Sequence, residues 1–243
     1  MEGRRDLKIL LLQIRDNHNV RIEEHKSFAN FSKLGLHQIE ILNVFATPSF
    51  KTNLLDSFDA LYVGGASEAS VLEPEKYPFI NNCIELLGYA AEISKPTFAS
   101  CFGFQLAVLA FGGVILNKDK DYEMGTVKIS LTNKAKSDLV YQGIEDRFPA
   151  VSVHRQYAST IPEPLEALAF TEQCIHSFKY KNKPLWAFQF HPEVDRNTLV
   201  KRLTIFSQHY TDNREHLKKV LESAVETPES NILLGNFVDR VLL

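Results

Sequence analysis

Residues 96–112, PTFASCFGFQLAVLAFG, decide how the rest of the chain is read. Pro96 to Ser100 is a run of strand length, and Gly103 to Phe111 is a nearly unbroken apolar stretch of helix length, stopped by Gly112-Gly113. Between them sits one cysteine, Cys101, with small residues two positions to either side, Ala99 and Gly103. A strand that turns at once into a helix has no room for larger side chains at those two positions, and it presents the residue at the bend. A sulfur at a helix start also feels the positive end of the helix dipole, which favours the thiolate. The other reading of Cys101 is a buried cysteine acting as a small hydrophobe.

Working outward, short apolar runs alternate with longer amphipathic ones. Lys8–Ile14, Ile39–Val44 and Ala60–Val63 are predicted strands, the last running into Gly64-Gly65. Ile22–Leu34 and Tyr77–Ile93 have helical spacing. Strand–helix alternation of this kind predicts an α/β fold with a doubly wound, mostly parallel sheet and helices on both faces. After Gly113 the pattern changes. Val114–Asn117, Gly125–Leu131, Ala150–Val153, Ala167–Phe170, Ile175–Tyr180 and Leu185–Phe190 are short strands joined by short loops, which predicts an added antiparallel region. Asp195 is expected to cap a helix through about His209. Thr211–Val225 follows, with Leu217, Val220, Leu221, Ala224 and Val225 on one face and Pro228 ending it, and a last helix spans about Ser230–Leu242. The expected organisation is one domain over 1–210 and a helical extension, 211–243, packed on it.

Bulk properties narrow the classes. The chain has 243 residues, 44% of them hydrophobic, and a net charge of −3. That suits one sizeable core and carries no basic footprint for nucleic acid. No apolar run reaches the roughly 18 residues of a membrane span, and the N-terminal apolar stretch is too short for a signal peptide. Cys83, Cys101 and Cys174 form neither a metal pair nor a disulfide framework, so a reducing cytoplasm is the expected location. Cys83 and Cys174 are expected simply to pack.

Residues 188–194, FQFHPEV, supply a second set of functional groups. An apolar strand delivers His191 at its end. Two residues on, Glu193 projects to the same side of an extended segment, and Pro192 discourages helix between them. A carboxylate on one imidazole nitrogen would leave the other nitrogen facing a thiol. A metal pair or a solvated loop are the competing readings; no further His or Cys of ligand spacing flanks His191, so no metal is expected. An acyl-transfer site also needs amide donors for an oxyanion. Phe102, directly after the cysteine, and Gly65, at the end of a strand, are the candidates, although a Gly-Gly pair is also an ordinary turn.

With Val63-Gly64-Gly65, Pro96 to Gln105 and Gln189 to Val194 in place, the chain resembles the class I glutamine amidotransferase domain over about residues 8–210. It is similar to free-standing members and to the amidotransferase half of GMP synthetase. The resemblance implies a flavodoxin-like fold and a Cys101–His191–Glu193 triad. Cys101 would attack the side-chain amide of glutamine, His191 would move the proton and Glu193 would orient it. A glutamyl thioester would form and be hydrolysed, with no cofactor. Gln105, Val153 and His154 match positions that contact substrate, and Glu123-Met124-Gly125 matches a Glu-x-Gly segment with no catalytic part. Departures are Ala66 where Gly-Gly-Pro is frequent, Ala99 in place of glycine, and Arg155-Gln156-Tyr157 after His154. No synthase domain follows, so an ammonia acceptor is expected on a separate polypeptide. The same triad would serve a γ-glutamyl peptidase or hydrolase, and a non-catalytic regulatory protein on this fold is the third reading.

Overall fold

The computed structural model describes residues 2–206 and 214–243. After a short N-terminal helix, α1 (Glu2–Asp6), comes the central strand β1 (Ile9–Gln13). Its residues alternate between two cores. Ile9 and Leu11 join Phe28, Tyr62, Phe98 and Phe237 on one face of the sheet. Leu10 and Leu12 join Val63, Leu86, Ala99 and Phe104 on the other. A strand covered on both faces reads as continuous apolar sequence, which is why ILLL predicts a buried parallel strand.

Parallel pairing extends both ways from β1. On one side lies β2 (Ile39–Asn43), and on the other lie β3 (Ala60–Val63), β4 (Thr97–Ser100) and β11 (Leu185–Phe188). Three helices link the N-terminal strands: α2 (His18–Ser32) between β1 and β2, α3 (Phe79–Glu92) between β3 and β4, and α4 (Phe102–Ala110) directly after β4. The sequence places the start of α2 a turn too late. Asn17 caps it, its side chain accepting from the amides of Asn19 and Val20, and the polar first turn hides that start from an apolar-periodicity reading.

Beyond β11 the sheet turns antiparallel through β10 (Ile175–Tyr180), β9 (Leu165–Phe170), β6 (Glu123–Leu131) and β7 (Arg147–His154). The nine strands run β2-β1-β3-β4-β11-β10-β9-β6-β7. This is the expected α/β fold with its added antiparallel region. A separate two-stranded ribbon pairs β5 (Leu116–Asn117) with β8 (Gln156–Tyr157).

Asp195 caps α5 (Arg196–Ile205), accepting from the Thr198 amide at 2.8 Å. The expected continuation of this helix to about His209 and the start of the next at Thr211 lie outside the described residues. The next described helix, α6 (Arg214–Ser223), buries Val220, with Ala224 just beyond it, against Met124 and Val151. Val225 is instead 50% exposed, because the helix has already ended. Pro228 does not terminate that helix. It opens α7 (Pro228–Phe237), where its missing N–H removes no helical hydrogen bond. No helix among the described residues is long and apolar enough to cross a membrane.

Candidate active site

Neighbouring parallel strands β3, β4 and β11 end at the same edge of the sheet, and each delivers one component there. Ligands of doubly wound sheets bind at this carboxyl edge. Past β3 come Gly64 and Gly65, past β4 comes Cys101, and past β11 come His191 and Glu193.

Cys101 occupies the bend between β4 and α4 with φ 51° and ψ −98°. A residue with a Cβ is strained there by about 1–3 kcal/mol. The bend is held from both sides: the Cys101 amide donates to the Phe188 carbonyl at 2.7 Å, and the Gly103 amide to the Gly64 carbonyl at 3.2 Å. A Cβ at Gly103 would lie 2.9 Å from both the Cβ and the carbonyl oxygen of Val63. That contact is the physical reason for the small residue after the cysteine.

His191 Nδ1–H donates to Glu193 Oε1 at 2.7 Å, and both side chains are buried. This leaves Nε2 for the thiol of Cys101, with which the imidazole pairs. Burial disfavours the imidazolium, but the Cys101 sulfur and the Glu193 carboxylate outweigh it and raise His191 to about 9. Burial likewise disfavours the Glu193 carboxylate, and His191 with Arg202 overrides it, so Glu193 sits below its ordinary range. Cys101, His191 and Arg15 converge on Gly65. A Cβ built there would be 2.8 Å from His191 Cε1, 2.8 Å from Arg15 Nη2 and 3.5 Å from Cys101 Cβ. The Gly64 amide is bonded to Leu12 O, so Gly65 supplies the first amide past the sheet. Phe102 supplies the amide at the first position of α4.

A cavity of about 210 Å³ opens beside the sulfur, bordered by Ser67, Cys101, Phe102, Gln105, Val153 and His154 among others. Gln105 is fixed in its wall, Nε2 donating to the Gln156 carbonyl at 2.9 Å. His154 directs Nε2 at Glu123, 3.1 Å away. The structure therefore brings together all eight residues singled out in the sequence, five around the sulfur and three along the cavity.

Other participants escape a reading of motifs. Arg15 follows β1 and is buried; its Nε donates to Glu24 Oε1 and its Nη1 to Ser67 Oγ, both at 2.8 Å. Burial pushes the Glu24 carboxyl up against the opposing pull of Arg15. A cation two residues past the end of an apolar-rich strand, at the β1/β3 switch, was the available signal. Asn231 of α7, which binds the turn between His191 and Val194, gave none, since nothing local marks it.

A family model, glutamine amidotransferase class-I, matches residues 29–206. The glutamine-hydrolysing GMP synthase of Borrelia garinii is 34% identical over 99 residues, 41% of this chain and 18% of that protein. One subunit of the glutamine-hydrolysing GMP synthase of Methanococcus maripaludis is 33% identical over 118 residues, 48% of this chain and 60% of that one. The matched region thus spans from about a fifth to under two thirds of these curated relatives. Among solved structures, a glutamine amidotransferase from Thermotoga maritima superposes with a TM-score of 0.77 at 17% identity, covering 97% of this chain and 98% of that one. A putative GMP synthase subunit from Thermoplasma acidophilum gives 0.67 at 19% identity, covering 96% and 92%. These two likenesses concern the fold.

Proposed function

The chain belongs to the class-I glutamine amidotransferase family, and on that basis we propose that it hydrolyses the side-chain amide of glutamine through a thioester on Cys101. The observation that carries this reading is the buried Cys101–His191–Glu193 relay at the carboxyl edge of the parallel strands. His191, raised to about 9, holds its proton beside the Cys101 sulfur. The sulfur adds to the amide carbon, and negative charge develops on the carbonyl oxygen, where the amides of Gly65 and Phe102 receive it. In a known protease the loss of one such donor costs roughly 3 kcal/mol. His191 gives its proton to the departing nitrogen, ammonia leaves, and a γ-glutamyl thioester remains. His191, now neutral, takes a proton from water as the water attacks the thioester. Glutamate departs, and the freed sulfur again faces the protonated imidazole. Glu193 keeps the imidazole in one orientation throughout.

Gln105, Val153 and His154 are proposed to border the amino-acid end of the substrate. A cavity of about 210 Å³ is below the roughly 300 Å³ at which pockets for larger ligands begin. Its size favours a single amino acid over a γ-glutamyl peptide. By analogy with the relative that is itself one subunit of a synthase, the ammonia is proposed to pass to a synthase on another polypeptide. A reducing cytoplasm suits an enzyme that depends on a free thiol.

The test is direct. Purified protein is given glutamine, glutathione or a γ-glutamyl dipeptide, and glutamate release is measured. Preference for glutamine supports the proposal. Release from the peptides alone would replace it with a peptidase, and release from none, alone or with a synthase partner, would leave a non-catalytic protein.

A further inference from the structure

Behind one wall of the cavity, a second group of side chains converges that the proposed reaction does not use. Glu123 opens β6 and His154 ends β7, directly opposite each other in the antiparallel register. Cys174 and His176 lie two residues apart at the start of β10, so an extended chain turns both to one side. At His176 the strand advances two residues against one of β9, a bulge that turns the ring inward, and the residue is fully buried. One ligand-capable atom from each of the four residues lies within 4.8 Å of all the others.

Protein hydrogen bonds leave this group incomplete. Both imidazoles direct Nε2 at the same Glu123 oxygen, His154 at 3.1 Å and His176 at 2.7 Å. Nδ1 of His176 is buried without a hydrogen-bond partner, while Nε2 of each ring points at the shared carboxylate oxygen, where a cation would take its lone pair.

We infer that Glu123, His154, Cys174 and His176 form a binding site for a divalent transition-metal ion of the zinc class. Two imidazoles, one thiolate and one carboxylate are a donor set of borderline softness, which suits Zn²⁺ and Co²⁺ over Mg²⁺ or Ca²⁺. Thiolate and carboxylate together offset the two positive charges. Metal–ligand bonds of about 2.0–2.3 Å place tetrahedral ligands roughly 3.3–3.8 Å apart, which this cluster reaches by small side-chain shifts. Outer hydrogen bonds to the carboxylate are already made: Thr171 Oγ1 donates to Glu123 Oε1 at 2.7 Å and Ser152 Oγ to Oε2 at 3.4 Å. A small cavity of about 30 Å³ borders Glu123, His154 and Cys174. On binding, the Cys174 proton is released to solvent, and each imidazole offers the metal the lone pair of Nε2, its ring proton on Nδ1. Four protein ligands close the coordination sphere, so the ion is structural. It ties β6, β7 and β10 together beside the substrate cavity, which His154 also borders.

The test uses the full chain carrying Cys101→Ala, which removes the only other thiol–imidazole pair among the described residues. The protein is stripped with a chelator and titrated with Co²⁺. The expected result is saturation at one equivalent, with ligand-field bands of a tetrahedral ion and a thiolate charge-transfer band. Zn²⁺ should then displace Co²⁺ and raise the melting temperature. Adding Cys174→Ser should abolish the charge-transfer band and weaken binding by about tenfold or more. His176→Gln should also weaken binding, and it answers the question if the serine variant does not fold. Absence of stoichiometric binding, or a spectrum and affinity unchanged in both variants, would overturn the site.

Discussion

Asn231 on α7 donates a 2.8 Å hydrogen bond to the carbonyl oxygen of Pro192, the residue between His191 and Glu193. The same Nδ2 reaches the Val194 carbonyl at 3.0 Å, and Thr227 Oγ1 donates to Asn231 Oδ1 at 3.0 Å. A C-terminal helix thereby fixes the turn that carries the base and its orienting acid. Asn231→Ala leaves two buried carbonyls without this donor, a loss of about 1–3 kcal/mol. The expected outcome is reduced stability together with a fall in kcat that exceeds any rise in KM. Denaturant melts and steady-state kinetics read both. An unchanged kcat would show that the turn holds itself.

The strain at Cys101 gives a second prediction. Cys101→Ala and Cys101→Gly both remove the sulfur and should both abolish turnover. Only glycine also removes the Cβ from a backbone at φ 51°. The glycine variant should therefore be the more stable of the two by about 1 kcal/mol in urea unfolding. Equal stabilities, or a more stable alanine variant, would mean the bend stores no strain.

Gly65 is where the relay meets the proposed oxyanion position. A methyl group there would fall 2.8 Å from both Arg15 and His191. Gly65→Ala is expected to lower kcat/KM by about a hundredfold or more while the protein still unfolds cooperatively. Near-normal activity would remove Gly65 from the site.

The pH profile tests the relay. His191 is raised to about 9, burial being outweighed by Cys101 and Glu193. The proton on His191 is the one given to the leaving group, so kcat/KM should fall on an alkaline limb near that value. Glu193→Gln removes a charge that favours the imidazolium, so the limb must move to lower pH, toward the ordinary histidine value of about 6.5. A limb that stays in place or moves upward would contradict the relay.

Much of this was legible in the sequence because the parallel half of the sheet is local in character. Strands β1, β3 and β4 are short apolar runs, each followed by a helix, and the residues at their ends are chemically distinctive. Cys101, His191 and Gly65 announce themselves by what precedes them. The antiparallel half was legible as strands but not as a site. Glu123, His154, Cys174 and His176 span some fifty residues on three strands, and a bulge at His176 completes their convergence. No spacing rule expresses that. Arg15, Glu24 and Asn231 act through tertiary contacts alone, and the first turn of α2 was hidden because its cap, Asn17, precedes a polar stretch.

The most direct measurement is covalent labelling with the diazoketone analogue of glutamine, followed by peptide mass spectrometry. Modification confined to Cys101, protected by glutamine and sparing the buried Cys83 and Cys174, is expected. Glutamine hydrolysis that persists while Cys101 stays unmodified, or a label carried by either other cysteine, would contradict the thioester on Cys101.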